Sequence, residues 1–81
     1  MKSKNQKFGI EEGSVTMFSL GDYVLNQKTG NFGQVIGYGN QLFNNTNLPT
    51  LKVLVAQAVD ASRVGFVEED FYSSWTLWQR I

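Results

Sequence analysis

Apolar and polar residues alternate over short stretches of this chain and are seldom spaced as on a helix, so the pattern predicts strands. The clearest stretch is LKVLVAQA, Leu51 to Ala58. Leu51, Val53 and Val55 share one face, while Lys52, Leu54 and Ala56 point the other way. Apolar residues on both faces predict a central strand covered at least partly on both sides. A first strand is expected over Phe18 to Asn26 around Val24. Lys28-Thr29-Gly30-Asn31 then reads as a tight turn, with Gly30 able to take positive φ. Gly33 to Gln41 follows as the return strand, and Gly37 and Gly39 within it mark a bulge or a bend. Asn40 to Pro49 holds four asparagines and the only proline of the chain and is read as a loop.

Beyond the central strand, Val59-Asp60-Ala61-Ser62 reads as a turn, Arg63 to Val67 as a fourth strand and Trp75 to Ile81 as the last. Glu68 to Ser74 is the connection between those two, with room for one helical turn. A helix over Glu68 to Gln79 is the alternative, because Phe71, Trp75 and Trp78 fall at i, i+4 and i+7. The aromatic and β-branched content beyond Asp70 favours turn plus strand. The chain is thus expected to be all-β: about five short antiparallel strands, with a short helical turn before the last.

Residues 1–16 show no sustained period. They carry Lys2, Lys4, Lys7, Glu11 and Glu12 and are expected to form a flexible N-terminal tail. Met17, directly before the first strand-like segment, is read as a second candidate start of translation. Residues 17–81 are then one domain, since a chain of 81 residues supports a single small core. Lys28, Lys52, Arg63 and Arg80 face Asp22, Asp60, Glu68, Glu69 and Asp70 in that domain. A balance so near neutral argues against a partner chosen by bulk charge, nucleic acid included.

The absence of cysteine and histidine from the sequence removes disulfides, thiol catalysis, the commonest metal ligands and the usual general base at neutral pH. A non-enzymatic protein without cofactor or bound metal is therefore expected. Without disulfides to staple so small a secreted domain, a cytoplasmic setting is the expectation. No apolar run reaches the length of a signal peptide or membrane span, so no membrane insertion is expected.

Three segments together, Gly21-Asp22-Tyr23-Val24, Lys28-Thr29-Gly30 and Gly33-Gln34-Val35-Ile36-Gly37, resemble the opening hairpin of SH3-like small barrels. Similar spacings occur in KOW-type domains and in the small barrel proteins that cyanobacteria and plastids attach to photosynthetic complexes. Val64 to Asp70 is similar to the strand preceding the one-turn helix of such barrels. The resemblance covers about residues 18–71 and implies an SH3-like small β-barrel. It also implies a ligand groove that would involve Tyr23, Tyr38 and Tyr72. The acidic loop and the aromatic-proline pattern of proline-binding SH3 domains are missing here.

Two residue classes are candidates for function. Glu68-Glu69-Asp70 concentrates acids, but alternation lets only Glu68 and Asp70 share a side, which suits contact with a basic partner better than an oxygen cage for a metal. Aromatics make up 14% of the residues, more than the inward faces of so small a core can hold. Tyr38, Phe43, Phe71, Tyr72, Trp75 and Trp78, in or near loops, are the candidates for the surface, where Trp and Tyr anchor interfaces. Trp75 and Trp78 are each equally suited to plugging an end of the barrel. The leading expectation is a protein-interaction module, an accessory or assembly subunit of a larger complex. The alternative is an RNA- or ribosome-associated KOW-like domain using the four basic residues with aromatic stacking. A homodimer is a further option, since Val67 or Leu54 at an exposed edge would favour one.

Overall fold

The computed structural model describes residues 17–60 and 64–80. The expected tail over residues 1–16, the second half of the turn after Val59, Arg63 and Ile81 lie outside them. Five strands form one antiparallel sheet: β1 (Tyr23–Asn26), β2 (Phe32–Phe43), β3 (Thr46–Gln57), β4 (Val67–Phe71) and β5 (Trp75–Gln79). A 3-10 turn, Tyr72–Ser74, joins the last two. Their order across the sheet is β4-β3-β2-β1-β5. The all-β expectation, with five antiparallel strands and a helical turn before the last, holds. No helix among the described residues is long and apolar enough to cross a membrane.

Several boundaries differ from expectation, each for a local reason. β1 begins at Tyr23 and not at Phe18, because Asp22 N–H donates to the Ser19 carbonyl at 3.0 Å and Gly21 takes φ +91°, closing a turn there. The expected loop over Asn40 to Pro49 is instead strand on both sides of a two-residue turn. Asn44 and Asn45 take φ of 51° and 65°, the left-handed pair that a tight hairpin demands and that asparagine tolerates better than most residues. β2 and β3 are thus twelve residues each, longer than the short strands expected. The fourth strand starts at Val67 and not at Arg63, since Gly65 turns the chain at φ +85°, and it includes the acidic run Glu68 to Asp70, expected in the connection.

Alternation decides what is buried. Val24 from β1, Val35 from β2 and Leu51 and Val53 from β3 close a core with Phe18 and Trp75, and Tyr72 and Leu77 pack against it. Each of these aliphatic side chains contributes about 1.5–3 kcal/mol by leaving water. β3 is central in its pairing, with β2 on one side and β4 on the other. Its second face is not covered as expected, because Lys52, Leu54 and Ala56 are exposed.

Bulges between Phe32 and Gly33 and between Val35 and Gly37 bend the long hairpin, so the sheet curls until β4 approaches the end of β1. At the tightest point a Cβ on Gly33 would lie 2.1 Å from the Leu54 carbonyl oxygen. β4 and β5 do not pair as strands, and side chains bridge the seam. Trp75 Nε1 donates to the Asp70 carbonyl at 3.2 Å, and Asn26 Nδ2 donates to Asp70 Oδ2 at 3.0 Å. Asn26 is fully buried, and its Oδ1 accepts the N–H groups of Lys28 and Thr29 at 2.8 and 3.1 Å. One side chain thereby shapes the β1–β2 turn and fastens it to β4.

Candidate binding face

The outer side of the sheet carries what alternation leaves behind. Tyr23 and Leu25 project opposite to Val24 and Asn26, and β1 pairs them with Gln34 and Phe32 of β2. On the other flank the β1–β5 register slips between Tyr23 and Val24, so Gln79 and Leu77 are paired while Trp78 is the extra residue of a bulge. A bulge re-aims the side chain it leaves unpaired, and here it turns Trp78 onto Phe32. The rings form one row: Tyr23 stacks on Phe32 at 5.8 Å between centroids and 6° between planes, and Phe32 meets Trp78 edge to face at 5.9 Å and 85°. Trp78 is 64% exposed.

Beside this row lies a shallow groove of about 420 Å³ lined by Leu25, Gly30, Phe32, Gln57, Ala58, Val59 and Trp78. None of these side chains is charged. A second groove, of about 290 Å³, shares Ala58 and Val59 with it and continues toward Asp60 and Glu68. Glu68 accepts from Asn31 Nδ2 at 3.2 Å and Thr29 Oγ1 at 3.4 Å. Both of these donors are neutral side chains. The combined trough is therefore apolar at the Trp78 end and acidic at the Glu68 end.

The other sequence-derived candidates fall elsewhere. Trp75 is buried in the core, with its indole nitrogen bonded across the seam. Tyr38 and Tyr72 flank Phe18: the Tyr38 hydroxyl donates to the Phe18 carbonyl at 2.6 Å, and Tyr72 meets the Phe18 ring edge to face at 5.3 Å. Burial first, and neighbouring Tyr38 second, push the Tyr72 phenol above its ordinary range. Tyr23 lies on the outer face and does not join these two, so the three tyrosines do not line one groove. Phe43 sits near the tip of the long hairpin, its ring 5.7 Å from that of Phe71. Phe32, Leu25 and Val59 belong to the face and were not singled out from the sequence. Moving the start of the second strand back by one residue would have put Phe32 in register with Gln34, on the side opposite Gly33 and Val35.

The acidic run divides by alternation. Glu69 turns outward and reaches Thr50 Oγ1 at 2.6 Å across Gly39. A Cβ on Gly39 would lie 2.5 Å from that carboxylate, so a larger residue there would push the Glu69 side chain aside. Asp70 turns to the β1–β2 turn, where Asn26, the Phe71 N–H and Lys28 Nζ at 3.3 Å surround it. Burial pushes the Asp70 carboxyl up, but the hydrogen bonds from Asn26, Phe71 and Lys28, with the lysine charge, outweigh it and hold it below its ordinary value. A depressed native pKa gives stability that is present above the unfolded value and lost as pH falls through the native one. Thermal melts below about pH 4 should accordingly show Asp70→Asn less sensitive to acid than the parent chain; equal acid slopes would show that another carboxylate governs the transition.

Among the described residues no group of three acidic side chains is placed to hold a metal ion. Asp22 is also fully buried; its Oδ2 accepts from Ser19 N–H at 2.9 Å and Arg80 Nη1 at 3.3 Å. It thereby caps the Ser19 N–H in the turn that leads into β1. No protein-family model matches the chain, and no curated protein or solved structure matches it.

Proposed function

We propose that this protein is a non-enzymatic interaction module, an accessory or assembly subunit that holds a protein partner on the outer face of its sheet. The row Tyr23–Phe32–Trp78 beside its uncharged groove carries the reading. Aromatic rings held against one another lose little side-chain freedom on binding, and exposed Trp and Tyr contribute far more than their share to interfaces. The acidic end at Glu68 favours a segment with a bulky apolar side chain close to a basic one. Basic groups give RNA less support, since Lys28 and Arg80 both stand against carboxylates.

The test is capture from native lysate with the full chain as bait, compared with its Trp78→Ser and Tyr23→Ser variants, with and without nuclease. A protein held by the parent chain should survive nuclease and be bound roughly thirtyfold or more weakly by Trp78→Ser, the scale of a central aromatic anchor. Retention unchanged in both variants would overturn the face. Loss on nuclease treatment would move the reading to RNA.

A further inference from the structure

The long hairpin outruns its neighbours. β1 leaves β2 after the bonds that join Val35 to Gly21 and Asp22, and β4 leaves β3 at Thr50, paired with Phe71. From Asn40 to Pro49 the hairpin is a two-stranded ribbon with no strand on either side among the described residues. Such ribbons are marginal alone in water and expose a row of backbone donors and acceptors along each edge.

The two edges differ. Val55 N–H points to β4, where it donates to the Phe66 carbonyl. Alternation along the regular β3–β4 register puts Val53, Leu51 and Pro49 on that same side. Proline has no N–H, so the outer edge of β3 is blocked. Lys52, Thr50, Leu48 and Thr46 then exchange bonds with their partners Gly37, Gly39, Gln41 and Phe43. The backbone groups of Tyr38, Asn40 and Leu42 are left pointing outward from β2.

Natural edges are guarded by charged residues, above all lysine, and this one is not. The 23 residues from Thr29 to Leu51 include no Lys, Arg, Asp or Glu. Apolar side chains flank the edge instead: Leu42 is 64% exposed and Phe43 52%.

We propose that two copies of this chain join through the free edge of β2, Tyr38 to Phe43, as an antiparallel pair about a twofold axis at Gln41. Asn40 of each copy then lies opposite Leu42 of the other, both with outward-facing backbone groups, so the hydrogen bonds are reciprocal. Each Leu42 gains Leu42 and Tyr38 of the second copy as diagonal neighbours on one face. Tyr38 to Phe43 carry no charge of their own to set against the second copy, the side chains of Glu69 and Lys52 that lie over Gly39 are of opposite sign, and Pro49 on the opposite edge stops addition at two copies. This surface is separate from the Tyr23–Phe32–Trp78 row, which stays open in the dimer.

Sedimentation velocity of the full chain over a wide range of concentration is the test. The expected species has twice the 9.1 kDa chain mass. Leu42→Pro removes an N–H that faces away from β3, so it should sediment at the monomer mass with the circular dichroism of the parent. Gln41→Lys sets two like charges opposite each other across the axis. It should weaken the dimer several-fold at low salt and regain it as salt is added, which separates loss of pairing from loss of folding. A parent chain that remains monomeric at its highest concentration, or a folded Leu42→Pro variant that still dimerises, would overturn the proposal. A monomer that instead binds an extended segment of another protein at this edge would overturn it too.

Discussion

Gly33→Val should leave the chain largely unfolded at room temperature. A Cβ at that position lies 2.1 Å from the Leu54 carbonyl oxygen and 2.8 Å from both the Leu54 carbonyl carbon and Val53 Cγ1. Two of those three atoms are backbone, so no rotamer change relieves the overlap. Either β2 and β3 separate at the bulge or the bend opens, and both disturb Val35 and Val53, which are buried at its centre. Overpacking costs about 1–3 kcal/mol and more where, as here, the overlap is with backbone, and a core of this size supplies only roughly 3–5 kcal/mol in total. Urea unfolding of Gly33→Val and of the milder Gly33→Ala measures the effect. A midpoint for Gly33→Ala within experimental error of the parent chain would mean that the strands shift freely at this point.

Asn26→Leu is the second large effect. The apolar side chain has a similar volume but leaves the Lys28 and Thr29 N–H groups without their acceptor and Asp70 Oδ2 without its donor. Unmet buried groups cost about 1–3 kcal/mol each. The losses are coupled through one side chain, so a total of about 3 kcal/mol is expected. Asn26→Asp separates the two duties. It keeps an acceptor for the turn but sets a second carboxylate against Asp70, so at neutral pH it should be destabilised through repulsion. Protonating one member of the pair removes that repulsion, and the deficit should narrow as pH is lowered toward the carboxylate range. A deficit independent of pH would show that the Asn26–Asp70 bond contributes little and that the turn alone matters.

How far the fold can be read from the sequence depends on how local each cause is. The inward triad Leu51, Val53 and Val55 was legible because strand alternation needs nothing beyond the residues themselves. Asn44-Asn45 was ambiguous for a physical reason: loops and left-handed hairpin turns both favour asparagine, and only the pairing of the flanking residues separates them. Glu68, Glu69 and Asp70 are poor strand formers taken singly. They are held in β4 by Thr29, Asn31, Asn26, Lys28 and Thr50, donors from distant parts of the chain that no local window contains. The excess of aromatics correctly implied that some are exposed. Which tryptophan is buried was not legible, because it turns on a bulge in the β1–β5 register that has no signature in residue type.

The opposite settings of Trp75 and Trp78 give the molecule two optical reporters. Trp75 is enclosed by the core and emits from an apolar surround, whereas Trp78 emits from water at the red end of the band. A soluble quencher such as acrylamide reaches the second and spares the first. Red-edge emission therefore responds to whatever settles on the outer face, and blue-edge emission to the integrity of the core. Occupancy and unfolding can be followed in the same cuvette without a label.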